Sequence, residues 1–305
     1  VFGPGLLLGF LLRLRGLALW ATAPIASTAL LSLLAIVLGF AGVAWTPLSI
    51  AGGVVIGAVL CLVLRLVLRP VAPVAASTAV RSRALLPAGL GVGVVVGALR
   101  FGFYVGDPSA ISQTNDAVFH LNAIRWILET GSASSFDVSG VIGGTGFYPA
   151  AWHALVSAVV VLSGAEIAIA ANMVSLVVAV LVWPLGIAWM TRIAVGASWP
   201  TAPAMAGALS PALLAFPMLM FEWGVLYPYA LSVALLPAAV AIVVAAPAAF
   251  ARGGDGLWDR VRSGALLAVL VLASATAIAL SQPAVLLAWG LLAVIWFTWW
   301  AASRL

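Results

Sequence analysis

The sequence predicts an all-α fold, a polytopic bundle of transmembrane helices. Hydrophobic residues make up 65% of the 305 residues and the mean hydropathy is +1.25, whereas a soluble domain is about 45–50% apolar. The apolar residues form continuous runs of about 17–25 residues, the length of a helical crossing, and do not alternate as barrel strands would. At about 20 residues per crossing, the chain has room for up to about ten spans.

The charge of the chain is typical of a bacterial membrane protein. All thirteen basic residues are arginine, the net charge is +5, and the arginines stand singly or in pairs at the ends of apolar runs. This is how the positive-inside rule distributes them, so we expect membrane lipids as surroundings and no nucleic-acid partner. Arginine without lysine, with much Ala, Val and Gly, is typical of GC-rich bacterial genomes. The expected location is therefore the bacterial plasma membrane, crossed several times.

Residues 1–84 are predicted to be an N-terminal unit of transmembrane helices that ends in a cytoplasmic linker. Residues 2–12 are apolar but too short to cross alone. The linker, residues 70–84, contains two prolines. Four arginines lie in it or just before it, which makes it the strongest cytoplasmic marker of the sequence: Arg65, Arg69, Arg81 and Arg83. The single cysteine, Cys61, excludes a disulfide framework and a thiolate metal site.

Residues 85–305 are predicted to be a transmembrane core with an external loop at residues 106–149, and we expect the chain to be part of a longer protein. The expected spans of the whole chain are residues 16–40, 48–68, 85–105, 166–190, 203–219, 225–247, 265–280 and 284–300.

The apolar stretch 147–163 leaves two topologies open. If it crosses the membrane, Arg192 falls outside. If it is interfacial or re-entrant, Arg192 falls inside, and Glu222 and Gln282 lie on the same side as Asp116. The positive-inside rule favours the second topology.

The external loop contains four ionisable groups within fourteen residues, Asp116, His120, Arg125 and Glu129, in the stretch SQTNDAVFHLNAIRWILETG at residues 112–131. An apolar stripe recurs there at helical spacing and predicts an amphipathic helix along the membrane surface. Residues 112–115 offer N-cap candidates and Gly131 a stop. The stripe consists of Val118, Leu121, Ile124, Ile127 and Leu128.

Asp116 and His120 stand four residues apart, so on a helix they share a face. Such a pair could bind one divalent cation (Mg²⁺, Mn²⁺ or Ca²⁺), or the carboxylate could orient the histidine as a base. The plain alternative is a hydrated surface pair. Arg125 and Glu129 are also four apart, and here an ion pair that steadies the helix is favoured over Arg125 as a phosphate ligand.

Four further polar residues stand at the mouths of predicted spans. An interfacial aromatic belt accounts for Tyr148 without a function, whereas His153, as an ionisable group at the mouth of a span, is a functional candidate. Glu222 could form an acidic cluster with Asp116 or be a solvated turn residue. Gln282 precedes Pro283, where a role in the turn is favoured.

The order of these motifs resembles the GT-C class of membrane glycosyltransferases. An external loop opens a helix with N-D-x-x-x-H and closes it with E-T-G, and a Y-P motif follows. The resemblance is to actinobacterial proteins near the arabinosyl- and mannosyltransferases of cell-envelope synthesis. It covers roughly residues 85–300, with looser likeness at FEWGVLYP and SQP, and is carried by Asn115, Asp116, His120, Gly131, Tyr148 and Pro149.

The resemblance implies a function for the loop. Asp116 would be the catalytic carboxylate and His120 would assist it or help to hold a metal. The donor would be a polyprenyl-phosphate-linked sugar, and the acceptor an envelope glycan or lipid on the outer face of the membrane. Residues expected to bind substrate are Asn115, Arg125, Tyr148, His153, Glu222 and Gln282. The alternatives are a non-catalytic scaffold or lipid-linked-sugar-binding subunit, and a transporter in which Asp116 and His120 relay an ion.

Overall fold

The computed structural model describes residues 1–68, 80–196, 198–252 and 256–304, and in these ranges all regular secondary structure is helical. Among the residues that the structure describes, seven helices are long and apolar enough to cross a membrane: Gly16–Phe40, Pro47–Val67, Ala84–Val105, Ile167–Val195, Tyr227–Ala249, Arg260–Ser281 and Pro283–Ala302. The chain is therefore a multi-pass membrane protein, as the composition predicted. Residues 70–79 of the predicted linker lie outside the described residues, whereas residues 80–84, also predicted to be linker, are the first residues of the helix Val80–Val105.

The α-helices follow the predicted spans closely. In chain order they are α1 (Gly3–Leu11), α2 (Gly16–Phe40), α3 (Pro47–Leu68), α4 (Val80–Val105), α5 (Asn115–Thr130), α6 (Ala151–Ser163), α7 (Ile167–Val177), α8 (Trp183–Val195), α9 (Ala202–Leu209), α10 (Leu219–Glu222), α11 (Tyr227–Arg252), α12 (Leu257–Ser281) and α13 (Pro283–Ala302). A π-helical stretch, Val178–Val182, joins α7 to α8. The nine-residue α1 is too short to cross, as expected.

One predicted span is broken. The sequence predicts a continuous helix at residues 203–219, but the structure has two pieces, Ala202–Ala212 and Leu214–Glu222, bent by 42°. Pro211 and Pro217 lie at the break. Each lacks the backbone N–H that a continuous helix needs, and its ring collides with the preceding turn.

Arg100 supports this break. It lies in the last third of α4, and its guanidinium donates hydrogen bonds to the carbonyl oxygens of Pro211 (3.1 Å) and Leu213 (3.2 Å). A helix that stops inside a membrane leaves carbonyl groups without partners, which is costly where water is scarce. The arginine therefore satisfies acceptors that the break has freed.

Glycines bring α4 and α9 into close contact. Gly89 and Gly93 lie one turn apart on α4, and a methyl group on either would collide with the backbone oxygen of Ala204 or of Gly207 on α9. Small residues at this spacing let membrane helices approach closely because their interfaces gain little from the hydrophobic effect.

The helix order resolves the topology around residues 147–163. The Asn172 side chain in α7 donates to the carbonyl oxygens of Pro108 (2.9 Å) and Ala110 (2.8 Å), so α7 begins at the end of the bundle where α4 stops. The intervening α6 has 13 residues, about 20 Å of helix, against about 30 Å of hydrocarbon. It does not cross, as the charge rule favoured.

We call the end of the bundle that carries residues 106–150 the loop end, and the opposite end the arginine end. The turn after α2 also reaches the loop end, because the backbone N–H of Trp45 donates a hydrogen bond to the Gly131 carbonyl oxygen (2.7 Å). Besides Arg100 and Arg125, the arginines whose side chains are described lie at the arginine end, namely Arg13, Arg15, Arg65, Arg192, Arg260, Arg262 and Arg304. The acidic residues whose side chains are described lie at the loop end: Asp107, Asp116, Glu129, Asp137, Glu166 and Glu222.

Candidate functional site

Helix α5 is fixed at both ends by the caps that the sequence predicted. The Thr114 hydroxyl accepts a hydrogen bond from the Ala117 N–H (3.3 Å), as an N-cap does. Gly131 closes the helix in the left-handed conformation, with φ of 70°, which glycine adopts without penalty. Asp116 is thereby held in the first turn of α5.

The inner face of α5 packs on protein. Ile124 and Ile127 of the predicted apolar stripe are fully buried beneath α6 and α7. The stripe was wrong at Val118, which is 57% exposed on the outer face. Its place in the core is taken by Ala117, Ala123 and His120. The prediction from periodicity gave too much weight to the larger apolar residues. Close packing against α6 favours small side chains on the buried face of α5.

An open cavity of about 570 Å³ lies at the loop end, on one side of α5. Four of the predicted site residues line it, and they come from three separate parts of the chain: Asp116, His120, Tyr148 and Gln282. The remaining wall is mostly apolar and aromatic, formed by Phe119, Phe147, Pro149, Leu226, Pro228, Tyr229 and Pro283. Gln282 is also the residue between α12 and α13, and its side chain makes no hydrogen bond that caps α13.

The Asp116 carboxylate is exposed and faces the turn after α10. A methyl group on Gly224 would lie 3.9 Å from Asp116 Oδ2, and Gly224 itself has φ of 83°. The next residue, Val225, is buried with φ of 52°, a strained conformation for a β-branched side chain. Strained backbone concentrates at functional sites, and this turn forms part of the wall around Asp116.

The two histidines of the chain contact each other. His120 Nδ1 and His153 Nε2 are 3.0 Å apart, and both rings are buried. Burial lowers the pKa of His120 to about 4, although the nearby Asp116 carboxylate acts in the opposite direction. Burial, with the neighbouring His120, also lowers the pKa of His153 well below its ordinary value. Both rings are therefore neutral at pH 7, one donating the hydrogen bond and the other accepting it.

Aromatic rings enclose the histidine pair. Trp152 and Tyr227 are stacked at 4.5 Å between ring centroids, and each also contacts His120. The hydrogen bond to His153 occupies His120 Nδ1, and since His120 lines the cavity, Nε2 is the nitrogen available to a bound molecule. Orientation of His120 by Asp116 was one of the alternatives that the sequence left open; the hydrogen bond that His120 Nδ1 makes is with His153.

Tyr148 presents its hydroxyl to the same cavity. Burial raises the pKa of Tyr148 to about 12, and the Asp116 carboxylate adds to the effect. The phenol therefore stays protonated at neutral pH and can donate a hydrogen bond. Its ring lies 5.0 Å from that of Phe119, between centroids, which fixes its place in the wall.

A protein-family model matches the whole chain, residues 1–305. It is described as "Family of unknown function (DUF6541)". The chain belongs to DUF6541. No curated protein and no solved structure matched the chain. The family description assigns no chemistry, so an interpretation of this site must come from its residues.

Four predicted site residues lie outside the cavity, and one of them, His153, is fully buried behind His120. Asn115 and Arg125 are on the outer face of α5, where Arg125 Nε donates to Glu129 Oε1 at 2.7 Å and forms the predicted ion pair. Glu222 is exposed at the end of α10 and is not part of the described lining. An acidic cluster of Glu222 with Asp116 stays one of the two alternatives that the sequence offered, beside a solvated turn residue.

The donor set around Asp116 is small for a resident metal ion. Within the described ranges no three His, Cys, Asp or Glu side chains lie close enough to share an ion. The described lining offers one carboxylate, the Nε2 of His120, since Nδ1 contacts His153, and the side-chain oxygens of Gln282 and Tyr148. Mg²⁺ prefers about six oxygen ligands and Ca²⁺ about as many or more. These residues do not by themselves fit such an ion, so the chemistry is derived from the carboxylate and the imidazole.

Sequence reasoning missed part of this site. Leu226, Pro228 and Tyr229, at the start of α11, line the cavity, but within FEWGVLYP we predicted only Glu222 as a site residue. The Y-P-Y run at residues 227–229 was the available signal, since Tyr is enriched at membrane interfaces and Pro at helix starts. Nothing local in the sequence could have paired His120 with His153 across 33 positions.

Proposed function

We propose that the chain is a membrane glycosyltransferase that moves a sugar from a polyprenyl-phosphate donor to an envelope glycan or lipid acceptor, on the outer face of the bacterial plasma membrane. The observation that carries the proposal is the open cavity of about 570 Å³ that holds an exposed carboxylate, Asp116, at the loop end of the bundle. Its volume falls within the range of about 300–1,000 Å³ typical of small-molecule sites.

The position of the cavity suits a lipid-linked substrate. Its walls include the loop-end termini of α11 and α13, so a polyprenyl chain in the bilayer could place its headgroup there. The arginines gather at the opposite end of the bundle, and the positive-inside rule assigns that end to the cytoplasm. The loop end then faces outward, where lipid-linked sugars serve as donors because nucleotide sugars are cytoplasmic.

The transfer requires one base and one leaving group. The Asp116 carboxylate accepts the proton of an acceptor hydroxyl, whose oxygen attacks the anomeric carbon of the donor sugar. A new carbon–oxygen bond forms as the bond from that carbon to the phosphate oxygen breaks. The electron pair leaves with the polyprenyl phosphate, and a displacement of this kind inverts the configuration at the anomeric carbon.

The neighbouring groups would position the reactants. Tyr148, protonated, can donate a hydrogen bond to a sugar or phosphate oxygen, and neutral His120 can donate or accept through Nε2. Neither adds a full charge to the described lining. Groups held by packing keep reactants aligned without a reorganisation cost during the reaction.

A second candidate is a non-catalytic subunit that binds the lipid-linked sugar. The described lining of the cavity contains no arginine to stabilise the extra negative charge that a departing phosphate acquires, which favours a role that stops at binding. Both candidates place the lipid in the same cavity and differ in whether Asp116 is needed for transfer.

Substitution of Asp116 by Asn separates the two functions. In cells that depend on this chain, Asp116→Asn should change the envelope glycan composition as deletion does, while purified protein still binds polyprenyl phosphate. The matched control is Glu222→Gln, which removes another exposed carboxylate at the same end but outside the cavity. If Asp116→Asn leaves the glycan composition unchanged, the transferase proposal is wrong.

A further inference from the structure

A second open cavity, of about 700 Å³, lies on the outer face of α5. One wall is a stripe of α5 side chains at helical spacing, and the other is the 3₁₀ helix Val138–Ile142. We call it the outer groove. Its lining residues are Asn115, Val118, Phe119, Asn122, Arg125, Trp126, Glu129, Val141 and Ile142. The proposed donor cavity uses none of these except Phe119.

The outer groove and the cavity of Asp116 are neighbours. The Phe119 side chain lines both, so one aromatic ring separates them. Asn115 at the end of the groove precedes Asp116 in the first turn of α5. A molecule lying along the groove would therefore end beside the carboxylate.

The indole of Trp126 is held as a flat surface in the groove. A methyl group on Gly140 would lie 2.7 Å from Trp126 Cζ2, so the 3₁₀ helix approaches the ring as closely as only glycine permits. Packing on one side fixes the ring, which is half-buried and so still partly open to the groove. A fixed aromatic ring contributes contact area with little loss of side-chain entropy.

The polar side chains of the groove end in planar groups, and their charges sum to zero. The exposed Arg125 and Glu129 form an ion pair, which leaves the terminal N–H groups of the guanidinium as donors. Asn115 and Asn122 add carboxamides. Because the carboxylate of Glu129 offsets the arginine, the groove suits a neutral ligand rich in hydroxyls better than a free phosphate.

From this combination we infer that the outer groove binds the saccharide chain of the acceptor, with a sugar ring against Trp126 and hydroxyls bonded to Asn122, Arg125 and Glu129. The C–H face of a sugar ring packs on an aromatic ring, and planar polar groups bond neighbouring hydroxyls in pairs. The inference rests on the proposed transferase function: the lipid donor occupies one side of Phe119, and the acceptor reaches Asp116 from the other.

The test is direct binding of short linear oligosaccharides (arabinan, mannan, galactan and glucan fragments) to the purified chain in lipid nanodiscs. Trp126→Ala should weaken binding of the preferred oligosaccharide about tenfold or more, and Glu129→Gln and Asn122→Ala several-fold. The control is Trp223→Ala, because that indole is also exposed, at 77%, and lies outside the groove; it should bind as wild type. Inorganic phosphate should not compete.

Failure of this inference can be told apart from failure of the transferase proposal. If Asp116→Asn abolishes transfer but Trp126→Ala and Glu129→Gln leave both oligosaccharide binding and the acceptor KM unchanged, the groove is not the acceptor site. The inference is also overturned if no oligosaccharide binds or if phosphate competes. If oligosaccharides bind through Trp126 while Asp116→Asn changes nothing in the cell, the groove stands and the transferase proposal falls. Glu129 is exposed, so Glu129→Gln remains informative if Trp126→Ala misfolds.

Discussion

Acidification from pH 7 to pH 5 should destabilise the loop end through the histidine pair. The folded pKa of His120, about 4, lies below the ordinary value of 6.5 because the ring is buried. A depressed histidine pKa means that the unfolded chain binds the proton more readily. The stability from the neutral ring is therefore complete above pH 6.5 and is lost as the pH falls toward 4.

The size of this loss follows from the two pKa values. Over the whole window a shift from 6.5 to about 4 corresponds to about 3 kcal/mol, at roughly 1.4 kcal/mol for each pH unit. Between pH 7 and pH 5 the expected loss from His120 alone is about 2 kcal/mol. His153, whose pKa is also lowered, adds to the loss in the same direction. Carboxyl groups ordinarily titrate below this range, near pH 4.

The assay is thermal unfolding of the purified protein in detergent at several pH values between 7 and 5. The chain has two histidines, so the double variant His120→Phe, His153→Leu is a matched control that should show little pH dependence in this range. If the double variant does not fold, NMR titration of the histidine ring protons in the native protein replaces it. A melting temperature independent of pH, an equal loss in the folded control, or histidine midpoints near 6.5 would refute the buried neutral pair.

Three further predictions concern helix packing and the cavity. Gly93→Ala should lower the melting temperature because the methyl group would collide with backbone of α9, whereas Gly91→Ala, with open space around it, should be neutral or stabilising; equal effects would contradict the contact. Arg100→Leu should cost about 1–3 kcal/mol by leaving the Pro211 carbonyl without its partner, with Arg100→Lys intermediate in chemical unfolding; no loss would show that the break needs no support. Tyr148→Phe should lower transfer about tenfold without changing the melting temperature, and an unchanged rate would remove the hydroxyl from the mechanism.

The helices could be predicted because their signals are local. The run at residues 16–40 is apolar along its whole length and is α2 in the structure. Thr114 and Gly131 bound α5 through contacts within one turn. The Arg125–Glu129 pair follows in the same way from the geometry of a single helix. Hydropathy, caps and i,i+4 spacing require no knowledge of the tertiary fold.

The assembly of the site could be predicted only in part. The charge rule placed Gln282 at the same end as Asp116, but not in the same cavity, because that depends on how α11–α13 pack. Residues 203–219 are apolar enough for a span whether the helix is continuous or broken. Their hydropathy therefore did not reveal the break at the prolines. From the sequence, His120 could pair with Asp116 on a solvated face of the helix. In the structure His120 is buried and contacts His153, 33 residues further along the chain.

The central claim is that the Asp116 cavity is a site of sugar transfer, and reconstituted transfer tests it most directly. Wild-type protein and Asp116→Asn would be placed in liposomes with polyprenyl phosphates that carry radiolabelled arabinose, mannose, galactose or glucose, together with envelope glycan as acceptor. We predict that wild type transfers one of these sugars with inversion, and that Asp116→Asn binds the same donor but transfers at least about a hundredfold more slowly. Transfer by Asp116→Asn at the wild-type rate, or no transfer by wild type of any donor that it binds, would contradict the claim.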